Sequence, residues 1–337
     1  MPTQFSILGS GAWGTTIALL LARKADHRVR LWSYRPEHTR ELRDRRENVR
    51  LLPGVPIPES IELESDIAKT LDGVDLCIAA VPTVYLRATL AKERPQLAQS
   101  TPVVSLCKGI ENETFERPTE ILCDLLGKRP YAVLSGPSHA EEVARGMPAS
   151  VVAASADEQL AKRVQEWFCT DRFRVYTNAD VIGVELAAAL KNVIAIAAGI
   201  CDGLQFGDNA KAALVTRGLV EMARFGAAHG ADPATYQGLA GMGDLITTCF
   251  SRHGRNRRVG ERLAKGEVLA EILASTEMVA EGVYTTRSVR FKAATLGLEL
   301  PIINEIYRVL YENKSPRAAV EDLMQRTPVP ERRIDEL

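Results

Sequence analysis

Gln4-Phe5-Ser6-Ile7-Leu8-Gly9-Ser10-Gly11-Ala12-Trp13-Gly14-Thr15-Thr16-Ile17-Ala18 sets an apolar run before G-x-G-x-x-G and an apolar segment after it. Strand, tight turn and helix in that order are what a dinucleotide-binding βαβ unit requires. Gly9 permits the turn, Gly11 lets the backbone approach a pyrophosphate, and Gly14 lets helix and strand pack closely. The phosphates would then face the free N–H groups and positive end of the first helix.

Residues 28–32 read as the second strand. About 20 residues past the glycines, an NAD enzyme places Asp or Glu against the ribose 2′-OH. Ser33-Tyr34-Arg35 follows here instead. A guanidinium at that point can pair with a 2′-phosphate, so NADP(H) is favoured, with NAD(H) as the alternative.

Composition limits the remaining classes. A chain of 337 residues is long enough for two cores. Its net charge of -1 gives no global electrostatic case for nucleic acid or an anionic membrane. Cys77, Cys107, Cys123, Cys169, Cys201 and Cys249 contain no C-x-x-C pair. They read as small hydrophobes in a reducing compartment, with neither a disulfide framework nor a metal site. The first strand begins almost at once, leaving no room for a signal peptide. Glu185, Lys191 and Asn192 interrupt the most apolar helix and argue against membrane insertion. A cytoplasmic protein is expected.

Up to about residue 180, strand-like runs (4–8, 28–32, 76–81, 102–106, 131–134, 150–154 and 173–175) are separated in several places by helical patterns such as 37–48 and 157–169. This alternation predicts an α/β fold, Rossmann-like, with a doubly wound and mostly parallel sheet. Residues 51–58 read as an extended loop because their prolines block helix and central strand. After residue 180 only helices are read, at 181–200, 210–229, 259–265, 268–276, 285–296 and 302–311. The expected organisation is a dinucleotide-binding domain over 1–180, a separate all-α C-terminal domain over 181–326 for substrate and catalysis, and a disordered tail over 327–337.

Lys191 is the leading catalytic candidate. It stands in Ala189-Leu190-Lys191-Asn192-Val193, where a lysine either snorkels to the surface or sits in a partly dry pocket; in the second case its pKa falls and it can donate a proton. Asn192 adds a second polar group needing partners. In Ala240-Gly241-Met242-Gly243-Asp244, the glycines suggest a tight turn that aims a carboxylate. The arginines of Gly254-Arg255-Asn256-Arg257-Arg258 suggest an anion site, against the plainer reading of a solvated basic face. Lys108-Gly109 and Ser135-Gly136-Pro137-Ser138 follow strands, on the face where open α/β folds bind ligands. His139 is the alternative general base.

These segments, with Cys107-Lys108-Gly109-Ile110 and Val279-Ala280-Glu281-Gly282, occur in an order that resembles the bacterial-type NAD(P)-dependent sn-glycerol-3-phosphate dehydrogenases, from about residue 4 to 325. The resemblance implies interconversion of dihydroxyacetone phosphate and glycerol 3-phosphate for phospholipid synthesis, and a homodimer. It makes Lys191 the acid/base. It places substrate on Lys108, Gly136, Ser138, Asp244, Arg255 and Asn256, with Gly254 standing where a serine is common. It places the dinucleotide on the glycine turn, including Ala12 and Trp13, and on Tyr34, Lys108, Ala140, Arg255, Val279 and Glu281. Arg35 beside Tyr34 bears on cofactor choice, and Asp244 is expected to orient the lysine or a substrate hydroxyl. A two-domain reductase of a small hydroxy acid would also use Lys191 and an arginine. A dinucleotide sensor would keep the fold and lose the chemistry.

Overall fold

Strand β1 (Thr3–Leu8) hydrogen-bonds to β2 (His27–Trp32) on one side and to β6 (Leu76–Ala79) on the other, and the turn into α1 (Ala12–Leu21) leaves its carboxyl end. That end is the point where the strand order reverses, the place where open α/β sheets bind ligands. The computed structural model describes residues 2–251, 254–276, 278–328 and 330–331. The chain divides into two compact units, Met1–Cys107 with Pro118–Val181, and Lys108–Arg117 with Ile182–Leu337.

In the first unit the elements between β2 and β6 are α2 (Pro36–Arg45), β3 (Glu47–Asn48), β4 (Leu52–Pro56), β5 (Ile61–Glu64) and α3 (Ile67–Leu71). After β6 come α4 (Thr83–Glu93), β7 (Val103–Ser105), α5 (Pro118–Leu126), β8 (Tyr131–Ser135), α6 (Ala140–Ala144), β9 (Ala149–Ala154), α7 (Glu158–Phe168) and β10 (Phe173–Asn178). Eight strands form one sheet in the order β10-β9-β8-β7-β6-β1-β2-β5. Only the β8–β9 pairing is antiparallel, so the sheet is mostly parallel as expected. Buried Phe5, Ile7, Leu31 and Ile78 supply the apolar faces that helices cover.

Strand β5 lies outside the strand-like runs of the sequence. Ile-Glu-Leu-Glu buries Ile61 and Leu63 but exposes Glu62, so it lacks the continuous apolar run of a central strand. Its place at the sheet edge accounts for the charges, which discourage further pairing. The proline-rich loop is also partly ordered, since β4 pairs antiparallel with β3 in a separate two-stranded ribbon.

The second unit is helical after residue 181: α8 (Val181–Gly203), α9 (Gly207–Ala227), a 3₁₀ turn (Pro233–Gln237), a π-helical turn (Leu239–Gly243), α10 (Asp244–Phe250), α11 (Arg255–Ala264), α12 (Leu269–Ala274), α13 (Glu281–Thr295), α14 (Pro301–Tyr311) and α15 (Pro316–Met324). Helix α8 is buried continuously from Gly183 to Cys201. It is long and apolar enough to cross a membrane, yet it serves as the core helix of this unit. Helix α11 crosses it at two glycines. A Cβ on Gly260 would stand 1.9 Å from the Ile196 carbonyl oxygen, and one on Gly199 would stand 1.8 Å from that of Arg257. Glycine at both positions lets the backbones touch, and this sets the α11 N-terminus against α8.

The division at residue 180 needs one correction. Residues 108–117 pack with the helical unit, because Ile110 is part of its core and Arg117 pairs with Glu185 there. None of the six cysteines forms a disulfide. Of the proposed tail 327–337, residues 329 and 332–337 lie outside the described residues.

Candidate active site

Lys191 reaches its partners from the middle of α8. Its ammonium donates to Asp244 Oδ1 at 2.9 Å and to Thr248 Oγ1 at 2.7 Å. Lys108 donates to the other carboxylate oxygen, Oδ2, also at 2.9 Å. Lys191 and Asp244 are almost wholly buried, whereas Lys108 remains 19% exposed. One carboxylate therefore carries two ammonium groups.

The shifts follow from that arrangement. Burial drives the Lys191 pKa down to about 8; the Lys108 ammonium pushes the same way, and Asp244 opposes both. Burial would raise the Asp244 carboxyl, but the two lysines outweigh it and hold the group below the usual carboxylate range. Burial raises the neighbouring Cys249 thiol to about 12, so it stays protonated and adds no charge. A lysine titrating near neutrality is suited to proton transfer.

Asp244 is aimed differently from the tight turn expected. The glycines before it form the π-helical turn, and Asp244 opens α10. Asp244 and Thr248 then share one helix face, four residues apart. Thr248 joins the site without standing out in the sequence; its i, i+4 spacing from Asp244 is the signal that marks it.

A second polar layer lies beside this cluster. Asn192 donates to the Lys108 carbonyl at 3.2 Å, Asn256 donates to Asn192 Oδ1 at 2.9 Å, and Gly282 N–H donates to Asn256 Oδ1 at 2.9 Å. These bonds link the N-termini of α11 and α13. The Asn256 side chain is thus largely occupied by protein partners. As the second residue of α11 it still offers a backbone N–H at the positive end of that helix. Gly254 caps α11; a Cβ there would approach the Thr248 carbonyl oxygen at 3.0 Å. The basic run divides: Arg257 pairs with Asp202, while Arg255 is exposed and donates to the Val279 carbonyl at 3.3 Å. Glu281 opens α13 close to that point in the chain.

The other candidates lie in the first unit. Gly9 has a φ of +121°, and a Cβ on Gly14 would stand 1.9 Å from the Gly9 carbonyl oxygen. A Cβ on Gly11 would meet nothing within 4 Å, which leaves the loop open on the side a pyrophosphate needs. Ala12 starts α1. Among the described residues, the buried Trp13 indole N–H has no acceptor and the buried Asn48 side-chain carbonyl oxygen has no donor. Asn48 itself fastens the turn, donating to the Ser10 carbonyl and Thr15 Oγ1 at 2.9 Å each. Gly136, Ser138 and Ala140 follow β8; the Ala140 carbonyl accepts from Thr16 of α1, and Ser138 donates back to Gly136. Exposed Tyr34 and Arg35 follow β2, and the Tyr34 hydroxyl accepts from Lys92 at 2.7 Å. An open glycine turn at a helix N-terminus, the buried Trp13 N–H and Arg35 after β2 fit a nicotinamide dinucleotide.

A doubly wound sheet with this turn and a buried, charge-coupled lysine define a dinucleotide-dependent oxidoreductase. Residues 4–161 match the profile described as NAD-dependent glycerol-3-phosphate dehydrogenase N-terminus, and residues 180–321 match the corresponding C-terminus. The chain is 50% identical over 328 residues to the glycerol-3-phosphate dehydrogenase (NAD(P)+) of Chlorobium phaeobacteroides (strain BS1), covering 96% of this chain and 98% of the relative. The crystal structure of glycerol-3-phosphate dehydrogenase from Coxiella burnetii superposes with a TM-score of 0.93 at 40% identity, over 96% of this chain and 99% of that one. A ketopantoate reductase from Ralstonia eutropha JMP134, with a TM-score of 0.60 at 17% identity over 96% of this chain and all of that one, shares the fold alone. The chain belongs to the NAD-dependent glycerol-3-phosphate dehydrogenase family, oxidoreductases that act on a CH–OH group with NAD(P).

Asp244→Asn removes the charge both lysines share. The protein should lose about 3–5 kcal/mol of stability in denaturant unfolding, the usual effect of breaking a buried pair. With Lys108 still repelling it, Lys191 should titrate lower, so the alkaline limb of the reduction rate should move to lower pH.

Proposed function

We propose that this chain transfers hydride between NADPH and dihydroxyacetone phosphate, yielding sn-glycerol 3-phosphate for phospholipid synthesis. The observation that carries this reading is the buried Lys191–Asp244–Lys108 cluster, in a chain matched by this family over residues 4–161 and 180–321. When bound, the reduced nicotinamide supplies the hydride. Lys191 hydrogen-bonds the substrate's C2 carbonyl oxygen and donates a proton as negative charge develops there. Asp244 holds that ammonium in place, and Lys108 adds fixed positive charge where the alkoxide forms.

The substrate phosphate is read as bound by Arg255 and by N–H groups of the α11 N-terminus, including that of Asn256. Gly136 and Ser138 complete the substrate set by resemblance. The dinucleotide is assigned to Gly9, Gly11, Ala12, Trp13 and Gly14, to Tyr34 and Arg35, and to Lys108, Ala140, Arg255, Val279 and Glu281. Preference for NADPH is supported by Arg35, by Lys92 beside Tyr34, and by Ser33-Tyr34-Arg35 carrying no carboxylate after β2. A cytoplasmic homodimer is the expected state. Exposed Met242, Ile246 and Phe250, four residues apart in succession, support a subunit contact.

Lys191→Met should lower kcat by at least about a hundredfold in either direction, since general acid catalysis contributes 10²–10⁴-fold. Cooperative melting and NADPH binding should persist, because methionine fills similar volume and the glycine turn lies in the other unit. Near-normal kcat would make the lysine structural. Arg35→Ala should weaken NADPH but not NADH, by about 1–3 kcal/mol in measured Kd, the worth of a charged hydrogen bond. Unchanged NADPH affinity would reduce Arg35 to a surface residue.

A further inference from the structure

The segment 108–117 follows β7 and belongs to the helical unit. It contains no helix or strand, yet it is fastened at intervals. Asn192 holds the Lys108 carbonyl, and Ile110 is buried in the helical core. The Ser288 hydroxyl of α13 donates to Asn112 Oδ1 at 2.7 Å and also lies 3.3 Å from the Ile110 carbonyl oxygen. At the far end, Arg117 Nη1 donates to Glu185 Oε2 at 2.6 Å; the Glu185 side chain is fully buried and that of Arg117 is 17% exposed. Glu185 lies six residues before Lys191 on α8.

A buried ion pair of this kind adds little net stability, because desolvation of both charges opposes their attraction. What it supplies is a fixed geometry. The chain between its two ends carries one charged side chain into the active cluster, that of Lys108, whose long flexible stem would otherwise hold the ammonium loosely. We infer that Arg117, Glu185 and Ser288 are positioning residues that clamp segment 108–117 onto the helical unit and so hold the Lys108 ammonium on Asp244, beside Lys191.

The inference rests on the proposed role of that cluster in substrate reduction. Its consequence is electrostatic as well as steric. Lys191 faces Asp244 and Cys249 from α10 and Lys108 from the strap, and of these only Lys108 repels its proton. Loosening the strap withdraws that repulsion. Substrate then binds without one fixed cation, and Lys191 keeps its proton to higher pH. A residue that merely stabilised the fold would move neither quantity.

The test uses the full-length chain, with Ser288→Ala and the charge-free pair Arg117→Gln with Glu185→Gln, which avoids stranding a buried carboxylate. Arg117→Lys serves as the conservative rescue, and Lys108→Met as the reference for complete loss. Both strap variants should melt cooperatively as the parent does. Their KM for dihydroxyacetone phosphate should rise about tenfold, equivalent to 1.4 kcal/mol. The alkaline limb of kcat for reduction should move to higher pH, and Arg117→Lys should recover most of both effects. Folded variants with parental KM and parental limb overturn the inference, as does a fall in kcat with KM and limb unmoved. A parent that does not reduce dihydroxyacetone phosphate overturns the functional reading instead. If the charge-free pair fails to fold, Ser288→Ala decides by the same two readouts.

Discussion

One carboxylate shared by two lysines is the constraint around which the second unit is arranged. Asp244 accepts from Lys191 on one oxygen and from Lys108 on the other, with burial that would be costly for any of the three alone. Removing water strengthens every attraction in the cluster, but it also makes each unpaired charge expensive. The arrangement is therefore tolerable only when three separate pieces of chain arrive together: the middle of α8, the start of α10 and the strap 108–117. Two ammonium groups gathered on one carboxylate in a partly dry site suit an anionic substrate and a developing alkoxide.

The packing explains how these pieces are held. Helix α8 is buried all round, so it forms the core of its unit and its polar residues must find partners inside. The glycine crossing with α11 brings the N-terminus of that helix to the same region, and the Asn192–Asn256–Gly282 bonds extend the register to α13. Small residues and side-chain amides thus set the geometry, while the charged residues perform the chemistry.

The glycine turn was legible because its signal is local: strand, turn and helix occupy consecutive residues, and so do Tyr34 and Arg35 after β2. Lys191 was legible for a related reason, since a cation amid Ala189, Leu190 and Val193 violates the apolar pattern. The contact of Lys108 with Asp244 was not, because it joins residues 136 apart in sequence and no periodicity encodes it. The same holds for the strap, whose position after a strand suggested the sheet until its core residue Ile110 was seen among helices. Asp244 was found for a partly mistaken reason: the glycines before it form a π-helical turn, where a tight turn had been expected. Strand β5 escaped because alternating glutamates hide a short edge strand.

Burial and a neighbouring ammonium make Lys191 an acid of near-neutral strength even before ligands bind. Heteronuclear NMR titration of lysine side chains labelled at Cε and Nζ reads this directly. One lysine should titrate near pH 8, and that resonance should be missing from Lys191→Met. If every lysine instead titrates near the ordinary value of 10.5, the account of this site is contradicted.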